Sequence, residues 1–241
     1  MMRPILISAG LMVTGEVLRR ALRRYSGAGE PLAEMPGGLM AREVVGSGSE
    51  LVVVLHGPGA APGQLERWLP TPRGPMLSLR GLHPHKDGYQ WLTSRLQQTS
   101  AAAFLAEAET VAQRIGESIR AVGSKYGATR TAVVGFSQGG HLAWLLAARG
   151  LVDGAVIACG ALPDTFTPPR PERPIEIAAL GGTEDKTVPW ALVDATRARF
   201  EAAGYAVTAT SVKGGHTPQA VGPNLGPALE DVLARMSVHA L

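Results

Sequence analysis

An α/β fold, with a mostly parallel sheet, helices on both faces and an antiparallel hairpin at its N-terminal side, is predicted by three features of this 241-residue chain. Short apolar runs (LVVVL at 51–55, TAVVGF at 131–136, GAVIACGAL at 154–162, IEIAAL at 175–180) alternate with segments of helical length. These runs are apolar at nearly every position, as a strand buried on both faces requires. Glycines and capping residues punctuate the alternation where helices start and stop.

In chain order, residues 13–25 carry Val13, Val17, Leu18, Ala21, Leu22 and Tyr25 at helical spacing opposite Arg19, Arg20, Arg23 and Arg24. This pattern predicts an amphipathic helix docked on the domain or making weak contact with a membrane surface. MMRPILISAGLMV also has the Arg and apolar run of a signal or anchor, the alternative at this end. Charged residues follow that run at once, and it falls short of the ~20 apolar residues a membrane helix needs. SGAGEPLAEMPGG (26–38) reads as a linker, which divides the chain into a segment 1–38 and a domain 39–241. Residues 39–45 and 51–55, around GSGSE, read as a hairpin, and 76–79 as a short strand. Ser100 caps a helix running to about Lys125. QGGHLAWLLAARG is a helix closed by Gly150, and 190–203 a helix ending at Gly204. YAVTATSV is the last strand, and 227–236 the closing helix.

Composition narrows the function. With 45% hydrophobic and 18% charged residues the chain can bury a large core, which excludes global disorder. Its net charge of +3 comes from scattered arginines and not from a basic block with interleaved aromatics, so no nucleic-acid partner is expected. The single cysteine, Cys159, rules out an intrachain disulfide and a cysteine-based zinc cluster. It fits a reducing compartment, so a cytoplasmic location is expected, with export or membrane association through the N-terminal segment as the alternative.

GFSQG at 135–139 fits G-x-S-x-G, preceded by an apolar strand and followed by a helix. That context would set Ser137 on a sharp turn with its hydroxyl above the sheet, and small residues at 135 and 139 would let strand and helix approach. The helix N-terminus would add positive potential and the Gln138 N–H. The plainer alternative is a glycine-rich turn with a capping serine. A serine needs a base and an orienter. GGTEDKTVP offers Glu184 and Asp185 after one strand, and KGGHTP offers His216 after the next, in the order serine, acid, histidine.

LHGPGA, GFSQGGHLAW, GGTEDKTVP and GGHTP, with LSLRG…DGYQWL, together resemble the phospholipase/carboxylesterase family of small serine esterases, which includes acyl-protein thioesterases. The likeness spans about 39–241 and implies the α/β-hydrolase fold. It implies Ser137 as nucleophile, His216 as base and Asp185, the residue before x-x-V-P, as the acid. It implies oxyanion donors at the Gln138 N–H and at the residue after His56-Gly57. That residue is Pro58, which has no N–H. Losing one such donor costs roughly 10²–10³ in rate. Pro58-Gly59 suits the centre of a type II turn, so Gly59 is expected to offer its N–H one step later, in place of Pro58.

The function expected is a serine carboxylesterase hydrolysing small or medium acyl esters or thioesters through an acyl-enzyme, with a small-molecule substrate and neither cofactor nor metal. The alternatives are a non-catalytic binding or scaffold protein with a degraded oxyanion hole, and a dienelactone-hydrolase-like or peptidase-like hydrolase. A dienelactone-type enzyme would favour a cysteine nucleophile, whereas position 137 is serine. Segments 62–95 and 163–174 are expected to wall the acyl pocket, with Leu82, Tyr89, Trp91 and Phe166 as wall residues. His83 and His85 form H-x-H without a third ligand in view. His141 reads as a packed or hydrogen-bonded histidine, and Cys159 as a buried small hydrophobe.

Overall fold

The computed structural model describes residues 31–238. Its strands are β1 (Ala33–Met35), β2 (Leu39–Val44), β3 (Glu50–Leu55), β4 (Met76–Arg80), β5 (His83–His85), β6 (Gly88–Gln90), β7 (Arg130–Phe136), β8 (Gly154–Ala158), β9 (Glu176–Gly182) and β10 (Ala206–Val212). Its α-helices are α1 (Ala101–Tyr126), α2 (Gln138–Ala148), α3 (Trp190–Ala203) and α4 (Pro218–Val238). Eight strands form one sheet in the order β1-β2-β4-β3-β7-β8-β9-β10, and β5 and β6 form a separate small hairpin. From β4 to β10 every pairing is parallel, while β2 runs antiparallel to both β1 and β4.

The continuous apolar runs are divided between two cores. Leu51, Val53, Leu55 and Val133 face a core shared with α1, α2 and α3. Val52, Val54, Ala132, Val134 and Phe136 face a second one closed by Val221, Leu225, Leu229 and Val232 of α4. Alternate residues of one strand thus bury on opposite faces, which explains the lack of a polar period in the sequence. Ser100 caps α1 by accepting from the Ala103 N–H at 3.3 Å, and Gly150 and Gly204 close α2 and α3 at φ 62° and 100°.

Three expectations need correction. The predicted hairpin of 39–45 with 51–55 does not form, because β4 inserts between β2 and β3; the antiparallel hairpin is β1–β2. The linker reading of 26–38 fails in its last residues. β1 joins the sheet, and α1 anchors the turn after it through Ser118 Oγ to the Pro36 carbonyl (2.7 Å) and Arg114 Nε to the Gly37 carbonyl (2.6 Å). The closing helix starts at Pro218, nine residues before the predicted 227, because Pro218 lies in its first turn and Thr217 Oγ1 accepts from the Ala220 N–H (3.2 Å). The amphipathic helix predicted at 13–25 lies outside the described residues. No helix among the described residues is long and apolar enough to cross a membrane.

Candidate active site

The C-terminal ends of β3, β7, β8, β9 and β10 lie in a row along one edge of the sheet, and the loops after β3, β7, β9 and β10 supply the site. β7 leads straight into α2 through Ser137, whose φ of 55° and ψ of −115° lie where non-glycine residues are rare. Such strain persists only where surroundings impose it, and here the packing is very close. A Cβ added to Gly139 would lie 2.2 Å from the Leu55 carbonyl oxygen, and one added to Gly135 would lie 2.2 Å from that of Gly139. The small residues expected at 135 and 139 are therefore a steric necessity.

Ser137 Oγ stands 2.8 Å from His216 Nε2, and His216 Nδ1 stands 2.7 Å from Asp185 Oδ2. The carboxylate accepts, so Nδ1 carries the proton and Nε2 is left to accept from the serine hydroxyl. Asp185 Oδ1 accepts from the N–H groups of Thr187 and Val188, both at 2.8 Å, so the buried carboxylate is fully engaged. Glu184 is exposed and does not join this chain. Phe136 packs on the His216 ring at 5.2 Å between centroids.

Cys159 is the site neighbour that sequence reasoning missed. It is fully buried as expected, but it turns the chain at φ 51° and sits beside Asp185. Its Sγ, an Asp185 oxygen and a His216 nitrogen all lie within 4.8 Å of one another. Burial first, and then the Asp185 charge, push the thiol up to about 12. Both His216 nitrogens are already taken by Ser137 and Asp185.

The Gln138 N–H opens α2, whose first recorded bond runs from the His141 N–H to the Ser137 carbonyl at 2.9 Å. As the first amide of a helix, the Gln138 N–H has no intrahelical acceptor and is free to meet an oxyanion. The Gln138 side chain is spent: Oε1 accepts from the Trp91 N–H (3.0 Å), and Nε2 donates to the Leu92 carbonyl (2.9 Å).

The loop after β3 behaves differently. Pro58-Gly59 does occupy the centre of a turn, with Gly59 at φ 80° and the Ala60 N–H reaching the Gly57 carbonyl at 3.3 Å. The expected displaced donor, however, is absent. The Gly59 N–H donates to the Tyr89 carbonyl at 2.8 Å, within a short bridge between Ala60 and Tyr89. The Gly57 N–H donates to Gln64 Oε1 at 2.9 Å. With Pro58 lacking an N–H, every amide from 57 to 60 is spent or missing.

A cleft of about 430 Å³ opens over Ser137, Gln138 and Pro58. His85, Lys86, Gln90, Arg95, Lys186, Thr187 and Val188 line it, with the buried Phe104 and His141 beneath. Among the described residues no Asp or Glu side chain lines it. The four predicted wall residues are not part of it. Trp91 is buried and braces the β3 loop, its Nε1 donating to the His56 carbonyl at 2.8 Å. Leu82 packs on the core, Tyr89 lies under the Arg80 guanidinium at 4.3 Å, and Phe166 stacks on Phe200 at 6.3 Å. Of the two segments expected to wall the pocket, part of 62–95 does so, whereas Thr167, Pro168 and Arg170 line a separate depression against α3.

These features define the α/β-hydrolase class: a mostly parallel sheet, a serine on a strained strand-to-helix turn, and an acid and a histidine on later loops in that order. A family model, the dienelactone hydrolase family, matches residues 92–216, and the chain belongs to that family. Similar solved structures include a carboxylesterase from Mesorhizobium loti (21% identity, 85% of this chain and 98% of that one, TM-score 0.69) and esterase PE8 (21%, 80% and 99%, TM-score 0.68). A phospholipase/carboxylesterase from Dyadobacter fermentans is similar at 17% identity over 82% of this chain and 96% of that one, with TM-score 0.64. No curated protein matches the chain.

Proposed function

We propose that this chain is a serine carboxylesterase cleaving small or medium acyl esters or thioesters. The observation that carries the reading is the unbroken chain Ser137 Oγ–His216–Asp185, at 2.8 and 2.7 Å, with the serine held on its strained turn. Ser137 Oγ attacks the carbonyl carbon while His216 Nε2 takes its proton, and Asp185 stabilises the resulting imidazolium. The tetrahedral oxyanion meets the Gln138 N–H at the positive end of α2. His216 then returns the proton to the departing alcohol or thiol, leaving an acyl-serine. Water, deprotonated by the same histidine, hydrolyses it and restores the serine. The serine at 137 does the work that a dienelactone-type enzyme would give to a cysteine. The cations Lys86, Arg95 and Lys186 around a cleft without carboxylates favour esters carrying an anionic group.

The test is turnover of p-nitrophenyl esters from C2 to C12 and of a palmitoyl thioester, with fluorophosphonate labelling in parallel. Turnover is expected to be highest for the short esters, and Ser137→Ala should lower it by at least roughly 10⁴ and abolish labelling. A scaffold protein would neither turn over nor label, and an alanine variant of comparable rate would remove Ser137 from the mechanism.

A further inference from the structure

We propose that the Lys86 ammonium is the second oxyanion donor of this site, standing in for the backbone N–H that Pro58 removes. The inference rests on Ser137 being the nucleophile. Three observations converge on it.

The first is the vacancy itself. A hydrolase of this class uses two donors, one at the start of the helix after the nucleophile and one from the loop after an earlier strand. The first is free at Gln138. The loop supplies none, since Gly57 is bonded to Gln64, Gly59 to Tyr89 and Ala60 to Gly57.

The second is position. The β5–β6 hairpin packs its turn against this same loop. A Cβ added to Gly59 would lie 3.5 Å from Lys86 Cδ and 3.9 Å from its Cβ, so the lysine stem runs over the Pro58-Gly59 turn. Lys86 lines the cleft together with Pro58, Ser137 and Gln138. Of the other two cations of the cleft, Lys186 sits on the loop of Asp185 and Arg95 lies nine residues beyond the hairpin turn. Lys86 is the one found against the loop that lost its amide.

The third is backbone strain. Lys86 has a φ of 54°, one of three non-glycine residues with positive φ among the described residues. Of the other two, Ser137 belongs to the catalytic chain and Cys159 adjoins it. Glycine or asparagine would fit such a turn at less cost, so the lysine holds a backbone position that its own residue type does not favour. A lysine ammonium carries three donors on a rotatable stem and can follow a charge that develops on the substrate. In a cleft without carboxylates it would be aimed at the oxyanion and not neutralised.

The experiment is a double-mutant cycle with a small neutral ester, p-nitrophenyl acetate, which removes any role of Lys86 in recruiting anionic substrates. Lys86→Met keeps the stem and a similar backbone constraint, and should lower kcat/KM by roughly 10². Lys86→Arg should recover most of that loss. Pro58→Leu, which restores an N–H, should change the rate less than tenfold. In the Pro58→Leu background, Lys86→Met should then cost less than tenfold, because a backbone donor covers for the lysine. Equal losses in both backgrounds would overturn the proposal, as would a harmless Lys86→Met beside a hundredfold gain from Pro58→Leu. Wild-type protein that neither turns over nor takes a fluorophosphonate would remove the esterase reading itself; with labelling intact, the cycle bears on Lys86 alone.

Discussion

Two turns meet over the sheet, one after β7 and one after β3, and they handle their backbone amides in opposite ways. The β7 turn is strained at Ser137 and leaves the Gln138 N–H without a protein partner. The β3 turn is relaxed, with glycine at its one positive-φ position, and commits its amides to Gln64, Tyr89 and Gly57. The difference teaches that an enzyme's binding capacity lies in groups that the fold leaves unsatisfied. A well-bonded loop is good structure and poor catalysis, and here the deficit is met by a side chain from a neighbouring hairpin.

The largest expected effect comes from the acid that serves the serine of the β7 turn, on the loop after β9. Asp185→Asn should keep the fold and lower kcat by about 10⁴, because an amide at this position selects the wrong imidazole tautomer. Glu184→Gln, on an exposed neighbour one residue away, should change it less than twofold. Parallel pH–rate profiles of the two variants with the same ester check this. A comparable loss at Glu184 would move the orienter and with it the meaning of the β7 site.

The β7 half was legible in the sequence because its signals are local. G-x-S-x-G needs only a strand before it and a helix after it, whereas GGTEDKTVP left Glu184 and Asp185 open and the family resemblance alone pointed to Asp185, which receives the Thr187 and Val188 amides. The β3 half was not legible because its partners are distant. The bond that spends the Gly59 amide comes from Tyr89, thirty residues on, and the turn around Gly59 was foreseen without it. The wall residues failed for the same reason. Trp91 and Phe166 are large and apolar, and nothing local distinguishes a cleft wall from a brace that donates to the His56 carbonyl or a ring stacked on Phe200. The misplaced hairpin is a third case, since the insertion of β4 between β2 and β3 is a choice of the whole sheet.

A mutation at the contact between the two turns should have an intermediate effect. Gly139 opens α2 against the end of β3, and a methyl there meets the Leu55 carbonyl oxygen at 2.2 Å. Neither side can yield, because both are backbone. Gly139→Ala should therefore cost about 1–3 kcal/mol of stability, seen as a lower urea midpoint with unchanged m, and should impair labelling of Ser137 by displacing the turn. Gly123→Ala is the control: nothing lies within 4 Å of a Cβ added there, in the last turn of α1, so the same substitution should be neutral or stabilising. Similar behaviour of the two variants would mean that the turns do not constrain each other.

The smallest effect compares the two turns through their histidines, His56 beside the β3 turn and His141 in α2. Gly81 donates its N–H to His56 Nε2 at 2.9 Å and Ala161 donates to His141 Nδ1 at 3.0 Å, so each ring is held neutral by an amide that can only donate. Burial lowers both from 6.5 to about 4. The folded protein then binds fewer protons than the unfolded chain between about pH 4 and 6.5, so stability rises with pH across that window. Each histidine's contribution is complete above 6.5 and is lost as the pH falls towards 4. His56→Gln and His141→Asn would each preserve an acceptor without a titrating group. Each should flatten the slope of unfolding free energy by up to about 1.4 kcal/mol per pH unit in that window, measured by urea titration at half-unit steps. Equal flattening would mean that both turns exclude the imidazolium to the same degree. A slope that changes only with His141 would show that the β3 turn admits a proton, and that its amides are less firmly committed than their distances imply.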